Sequence, residues 1–168
     1  MSDVTPMELV GVRVEIPANT PMMLLQEQDG DRRLLPIYIG HPEAASIHTA
    51  LEGIEPPRPL THDLFIAVLE QLGQQVTRVV ITEVRDHTYY ADLHVGDGSD
   101  DGEELIVSSR PSDAIALAVR REVPIFASTE LLDEVGQTPV AEPEEQAEEI
   151  IDEFKDFIES VNPEDFAS

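Results

Sequence analysis

Three short clusters of polar residues have the types and spacing to do chemistry. Each lies where an apolar, helix-like segment begins: His41-Pro42-Glu43, Arg58 with Thr61-His62-Asp63, and Arg110-Pro111-Ser112-Asp113. Helix N-termini carry free N–H groups and partial positive charge, so together with Arg58 and Arg110 they could bind an anion such as phosphate. His62 could act as a general base or a metal ligand, with the neighbouring Asp63 orienting it.

A simpler interpretation stays open for the same residues. Thr61, Asp63, Ser112 and Asp113 could be helix caps or first-turn acids, and the arginines could pair with those acids. The chain has no glycine-rich phosphate loop and no nucleophile elbow. Without cysteine there is no thiol chemistry. Acid–base hydrolysis, metal-assisted hydrolysis or plain binding remain.

The elements that must position these clusters follow from apolar periodicity. In the first half, alternating valines predict a strand, and two further apolar runs flank Asp29-Gly30-Asp31, whose residue types favour a hairpin turn. Two helical patterns follow, each ended by a glycine. The predicted strands cover 7–16, 21–28 and 33–39, and the predicted helices cover 43–52 and 61–72.

The second half predicts more strands and two helices. β-branched and alternating segments predict strands over 76–84, 88–95 and 104–108, with a short turn at Asp86-His87. A helix over 113–121, opened by Pro111 and Ser112, a strand over 124–127 and a helix over 129–135 complete the pattern. Because strands and helices do not alternate, we expect an α+β fold with a mixed, largely antiparallel sheet and helices packed on it.

The C-terminal part predicts a separate segment. A domain over 1–135 is expected, then a linker over 136–147 and an acidic amphipathic helix over 148–168. Thr129 to Ser168 holds 14 acidic residues and only Lys155 as a basic one. Apolar residues recur there at helical spacing, so we expect this face to dock onto the domain, a second subunit or a protein partner: Ile150, Phe154, Phe157, Ile158 and Val161.

Composition narrows the class of protein. The net charge is -25 and there is no cysteine, which predicts a soluble cytoplasmic protein in a reducing compartment. No basic leader and no membrane-length apolar run is visible in the sequence. So negative a chain repels phosphate backbones at long range, and any nucleic-acid contact must rest on a local arginine cluster.

Several separated motifs, in this order, resemble the bifunctional nuclease family over about residues 7 to 135. They are Leu35-Pro-Ile-Tyr-Ile-Gly40 with Glu43-Ala44, Pro57-Arg-Pro-Leu-Thr-His-Asp63, Leu69-Glu-Gln-Leu-Gly73, Thr88-Tyr-Tyr-Ala91 and Arg110-Pro-Ser-Asp-Ala-Ile-Ala-Leu-Ala118. The resemblance implies hydrolysis of DNA and RNA phosphodiesters, a self-associating domain, expected as a homodimer, and an acidic extension typical of bacterial members.

The resemblance also places roles on matched positions. His62, Asp63, Arg110 and Asp113 are the expected catalytic residues. The expected substrate contacts are Arg58, Arg110 and Ser112, and a divalent ion such as Mg²⁺ or Mn²⁺ is expected on Glu43, Asp63 and Asp113. The competing hypothesis is a non-catalytic regulatory or interaction module that uses the acidic helix and an anion pocket. Arginines held in salt bridges with Asp63 and Asp113 would favour that alternative.

Overall fold

A seven-stranded mixed sheet organises the residues that the computed structural model describes, which are 3–99 and 102–139. The elements are β1 (Val4–Glu15), β2 (Thr20–Glu27), β3 (Leu34–Tyr38), α1 (His41–Leu51), α2 (Thr61–Gln71), β4 (Gln75–Arg85), β5 (Thr88–Gly96), β6 (Leu105–Ser109), α3 (Pro111–Arg121), β7 (Ile125–Ser128) and α4 (Thr129–Val135). The strand order is β3-β2-β1-β7-β4-β5-β6. Among the described residues only β4 and β7 pair in parallel, so the predicted α+β fold with a largely antiparallel sheet is confirmed.

The two predicted hairpins are present, and local turn chemistry explains both. β2 pairs antiparallel with β3, and Gly30 between them has a positive φ of 72°. β4 pairs antiparallel with β5 through Asp86 and His87, whose φ angles are 49° and 62°. A two-residue turn with positive φ at both positions matches the right-handed twist of the strands that it joins. These loops are therefore set by short-range sequence.

One apolar core lies between the sheet and the helices. Alternate residues of the sheet that point to the helices are almost fully buried, among them Met23, Leu25 and Ile81. Ile47 of α1 and Ile115 of α3 belong to the same core. The alanines of α3 let this helix contact α1, α2 and the centre of the sheet closely. α3 is thus the central helix, and its N-terminus is held in a fixed place.

Element boundaries differ from the predicted ones by up to three residues. β1 starts at Val4 because its first residues pair with β7, which lies far away in sequence. α1 starts at His41 and α3 at Pro111 rather than at residues 43 and 113, since proline fits the first turn of a helix. Asp63 is an acid of the first turn of α2, as expected, and its carboxylate accepts a hydrogen bond from the Leu60 backbone N–H at 2.9 Å.

The acidic segment lies mostly outside the described residues, which end at 139. The linker over 136–147 and the amphipathic helix over 148–168 therefore stay predictions. No helix within 3–99 and 102–139 combines the length and the apolar character needed to span a bilayer.

Candidate functional site

All predicted site residues except Arg58 lie at the starts of three neighbouring helices. Glu43 is in the first turn of α1, His62 and Asp63 are in the first turn of α2, and Ser112 and Asp113 are in the first turn of α3, with Arg110 as its N-cap residue. Because α3 packs against both α1 and α2, these three helix starts approach each other. The resulting contacts are continuous and join Glu43, Arg110, Asp113, His62, Ser46, Arg120 and Asp63, which we call the polar cluster.

His62 lies at the middle of the polar cluster. Its Nε2 is 3.0 Å from Asp113 Oδ1, and its Nδ1 is 2.7 Å from Ser46 Oγ. The side chain is 14% exposed, so both ring nitrogens interact mainly with protein. An imidazole held by a carboxylate is the arrangement that fixes the tautomer and orientation of a general base.

Arg110 holds the other side of Asp113. Its Nε and Nη2 donate to Asp113 Oδ2 and Oδ1 at 2.6 and 3.0 Å, and Nη1 is 3.2 Å from Glu43 Oε1. Burial of Asp113 opposes ionisation, but the hydrogen bonds from Arg110 and His62 outweigh it and hold the pKa of this carboxyl below its usual value. Asp113 is therefore a fixed negative charge beside His62.

Arg110 keeps donors for a ligand despite these pairs. A guanidinium group has five N–H donors, and the contacts to Asp113 and Glu43 use three of them. The side chain is 64% exposed. A phosphate oxygen can therefore reach Arg110 without breaking its contact with Asp113.

Arg120, which no sequence motif singled out, joins the far end of the polar cluster. Its Nε donates to Asp63 Oδ1 at 2.7 Å, its Nη2 to Ser46 Oγ at 3.0 Å and its Nη1 to the Ala116 carbonyl at 2.9 Å. Burial of Asp63 opposes ionisation, but hydrogen bonds from Arg120 and from the Leu60 N–H lower the pKa of this carboxyl. Asp63 therefore anchors Arg120 and makes no direct contact with Arg110.

Arg58 is placed differently from the other predicted residues. It lies exposed in the proline-rich loop between α1 and α2. Within 3–99 and 102–139 no hydrogen bond or ion pair joins it to another side chain. The simple interpretation of paired arginines thus applies to Arg110 with Asp113, and does not apply to Arg58.

A cavity of about 400 Å³ opens beside the polar cluster. Its walls come from the end of β3, the β4–β5 turn and the start of α3, and they include Gly40, His87, Arg110 and Ser112. Ser112 is 6% exposed, and its hydroxyl has no hydrogen-bond partner in the part of the chain that the structure describes. Gly40, the residue before α1, and the start of α3 line this cavity, and Arg110 and the N-terminus of α3 are the positive groups there.

The predicted metal ligands do not form a ready-made cation site. Within the described ranges no three His, Cys, Asp or Glu side chains lie close enough together to hold a metal ion. Asp113 gives both of its oxygens to Arg110, Glu43 contacts the same guanidinium, and Asp63 contacts Arg120. The carboxylates are thus arranged for guanidinium groups, and we derive no catalytic step through a metal ion.

The sequence gives only a weak indication that Ser46 and Arg120 belong to the polar cluster. Ser46 lies three residues after Glu43 and Arg120 lies seven residues after Asp113, so each shares a helix face with a predicted residue. This spacing indicates only which side of the helix each residue occupies. Which residue each one meets depends on how α1, α2 and α3 pack.

The sheet, the polar cluster and the cavity together define an α+β protein with ion-paired polar side chains at the starts of three helices. The family model of the bifunctional nuclease domain matches residues 23–139, which include every predicted site residue. The chain belongs to the bifunctional nuclease domain family.

Relatives of two kinds are similar in sequence to this chain. "Uncharacterized protein Rv1829" of Mycobacterium tuberculosis is 42% identical over 163 residues, which cover 94% of this chain and 95% of that protein. "Bifunctional nuclease 1" of Oryza sativa subsp. indica is 33% identical over 103 residues, which cover 61% of this chain and 31% of that protein. "Bifunctional nuclease 1" of Arabidopsis thaliana is 29% identical over 105 residues, covering 62% and 32%. The match therefore spans about a third of each plant protein.

Proposed function

We propose that this protein is a nuclease that hydrolyses phosphodiester bonds of DNA and RNA at the polar cluster. The observation that carries the proposal is the contact of one carboxylate, Asp113, with both His62 and Arg110. A base and a phosphate-binding cation are thereby held side by side, which is what hydrolysis of a charged ester needs. The family membership and the plant relatives named bifunctional nucleases support the same reaction.

In this proposal the cavity beside α3 receives the scissile phosphate. The two remaining N–H donors of Arg110 and the hydroxyl of Ser112 bind its oxygens, and the N-terminus of α3 adds partial positive charge. Arg58, exposed on its loop, contacts the next phosphate along the strand. His62 is the general base, Asp113 orients it, and Asp63 acts through Arg120.

A cleavage assay on labelled single-stranded DNA and RNA tests this proposal. We expect His62→Gln to lower kcat/KM by at least about 100-fold, since removing a general base typically costs that much. The matched control is His48→Gln, an exposed histidine of α1 that is outside the polar cluster. Activity that survives His62→Gln would point to a contaminating nuclease and would contradict the assignment. Equal loss of activity in both variants would contradict a specific role for His62.

The expected requirement for Mg²⁺ or Mn²⁺ is tested in the same assay. Cleavage is measured with each ion and with a chelator, and binding of the ion alone is measured by calorimetry. An ion at Glu43, Asp63 or Asp113 would have to displace Arg110 or Arg120 from these carboxylates. Activity that is unchanged by the chelator would remove the metal from the proposal.

We expect the protein to form a homodimer through α2. Leu64, Phe65, Val68 and Leu72 form an apolar surface on this helix and are 44% to 69% exposed, and such contiguous patches usually mark contact sites. Light scattering on the full chain should give a dimer, and the double variant Leu64→Glu with Val68→Glu should give a monomer. A dimer that dissociates only when Ile106 of the exposed β6 surface becomes Glu would place the interface there instead.

The remaining expectations belong with this proposal. The acidic segment is expected to dock onto the domain, a second subunit or a protein partner, and the location is expected to be cytoplasmic. The alternative, a regulatory module with an anion pocket, is favoured by the net charge of -25 and by the salt bridges of Arg110 with Asp113 and of Arg120 with Asp63. Binding of phosphate at Arg110 without any cleavage of nucleic acid would support this alternative.

A further inference from the structure

A serine that no sequence motif singled out is in hydrogen-bond contact with His62. Ser46 lies on α1, and its Oγ is 2.7 Å from His62 Nδ1. On the opposite side of the ring, His62 Nε2 is 3.0 Å from Asp113 Oδ1. A hydroxyl, an imidazole and a carboxylate therefore form a hydrogen-bonded chain, each within reach of the next.

The direction of these hydrogen bonds follows from what each group can donate. An ionised carboxylate only accepts, so the neutral imidazole carries its proton on Nε2 and donates it to Asp113. Nδ1 is then the bare nitrogen and accepts the Ser46 hydroxyl proton. The group that His62 is placed to deprotonate is thus the Ser46 hydroxyl.

Arg120 supplies the third contact to Ser46. Its Nη2 donates to Ser46 Oγ at 3.0 Å, and the guanidinium is 9% exposed and fixed by Asp63 and the Ala116 carbonyl. A buried cation beside an oxygen stabilises negative charge as it develops on that oxygen. Ser46 thus has a base on its proton and a positive charge on its lone pair, which is how a weak oxygen nucleophile is activated.

We propose that Ser46 is the nucleophile of this site and that its substrates are phosphate esters. The inference deepens the proposed nuclease function and rests on it for the identity of the natural ester. It extends that function because it replaces direct attack by water with a covalent phosphoseryl intermediate. The ring nitrogens serve in the opposite sense to the usual Ser-His-Asp triad, in which Nε2 faces serine.

The proposed step balances without an added reagent. Ser46 Oγ attacks phosphorus, its proton passes to His62 Nδ1, and the bond from phosphorus to the leaving alkoxide breaks. The leaving oxygen lies opposite Ser46 in an in-line displacement, so it takes its proton from a water molecule and leaves hydroxide there. In the second half, this hydroxide attacks phosphorus, the phosphorus–Ser46 bond breaks, and the imidazolium, paired with Asp113, returns its proton to Ser46 Oγ.

A covalent probe tests Ser46 without depending on nuclease activity. The full chain is treated with a dialkyl phosphorofluoridate, which forms a bond from Ser46 Oγ to phosphorus while fluoride leaves and the proton passes to His62. Mass spectrometry of peptides locates the adduct. We expect one adduct, on Ser46, and a rate at least about 100-fold lower in His62→Gln. Ser46→Ala should show none. Ser109→Ala, which removes a hydroxyl that donates to the Ala91 carbonyl, should react like the wild type.

The outcomes separate this inference from the nuclease function. No adduct on Ser46 in folded wild-type protein, or equal labelling of several serines, overturns it, and the wild-type measurement needs no variant to fold. Cleavage of nucleic acid that persists in Ser46→Ala also overturns it while the nuclease proposal stands. Selective labelling of Ser46 in a protein that cuts neither DNA nor RNA supports the nucleophile and rejects the nuclease.

Discussion

Replacing Arg110 by alanine is expected to lower kcat/KM for nucleic-acid cleavage by about 100-fold to 1,000-fold, the usual cost of removing one group that stabilises transition-state charge. Arg110 is 64% exposed, so its ion pairs contribute no more than about 1 kcal/mol to stability. The loss should therefore appear in activity while the urea unfolding curve hardly moves. Arg110→Lys should have an intermediate kcat/KM, because lysine keeps the charge but has no planar guanidinium group to bind Asp113 and phosphate at the same time.

The matched control for Arg110 is Arg85→Ala. Arg85 is another exposed arginine with a carboxylate partner, Glu83 at 3.1 Å, and it lies outside the polar cluster. If both variants lose activity alike, a general loss of positive charge explains the effect. If Arg110→Ala cleaves as well as the wild type, the phosphate site at the start of α3 is wrong.

Replacing Arg120 by methionine is expected to destabilise the fold by about 3 kcal/mol, the usual cost of leaving one partner of a buried ion pair uncompensated. Arg120 is 9% exposed and Asp63 28%, so solvent screens the pair only weakly. The substitution also removes a donor from Ser46 and from the Ala116 carbonyl. Urea unfolding followed by circular dichroism measures the change.

Arg121 provides the internal control for that measurement. It is the next residue on α3, and it pairs with Glu70 at 2.7 Å, with both side chains at least one third exposed. Arg121→Met should therefore cost less than about 1 kcal/mol. Similar losses of unfolding free energy in the two variants would show that the ion pair of Arg120 with Asp63 contributes no more to stability than an exposed ion pair does.

The pH dependence gives a second check on Arg120. The pKa of Asp63 is held below its usual value in the folded protein, so its contribution is present above the unfolded value of about 4 and is lost as the pH falls through the folded value. The difference in unfolding free energy between wild type and Arg120→Met should hence be larger at about pH 7 than at about pH 3. A difference that is constant with pH would assign the loss to packing.

Local patterns predicted most of the elements of this fold. The α4 bounds and the two hairpins agree with the sequence because turn residues and apolar periodicity act over a few neighbouring positions. The parallel pairing of β4 with β7 and the antiparallel pairing of β1 with β7 did not follow from the sequence. These strands meet only through long-range packing, which no local pattern encodes.

The site shows the same division between local and long-range information. Helix-start chemistry in the sequence selected His62, Arg110 and Asp113, and the structure brings them into contact. The sequence also suggested that Asp63 supports His62 as its neighbour, whereas His62 instead contacts Asp113, 51 residues away. Adjacent residues on a helix point about 100° apart, so they rarely converge on one atom.

The sequence by itself determined that three helices begin with polar, partly charged residues in an otherwise acidic chain, and that the chain resembles a nuclease family. Only the tertiary structure decided that Arg120 pairs with Asp63 and that Ser46 lies against His62. The reason is physical: a residue's type and helix position fix which side it occupies, but the packing of α1 and α2 on α3 decides what stands there. The proposed nucleophile therefore follows from packing, whereas the proposed class of substrate was already indicated by the sequence.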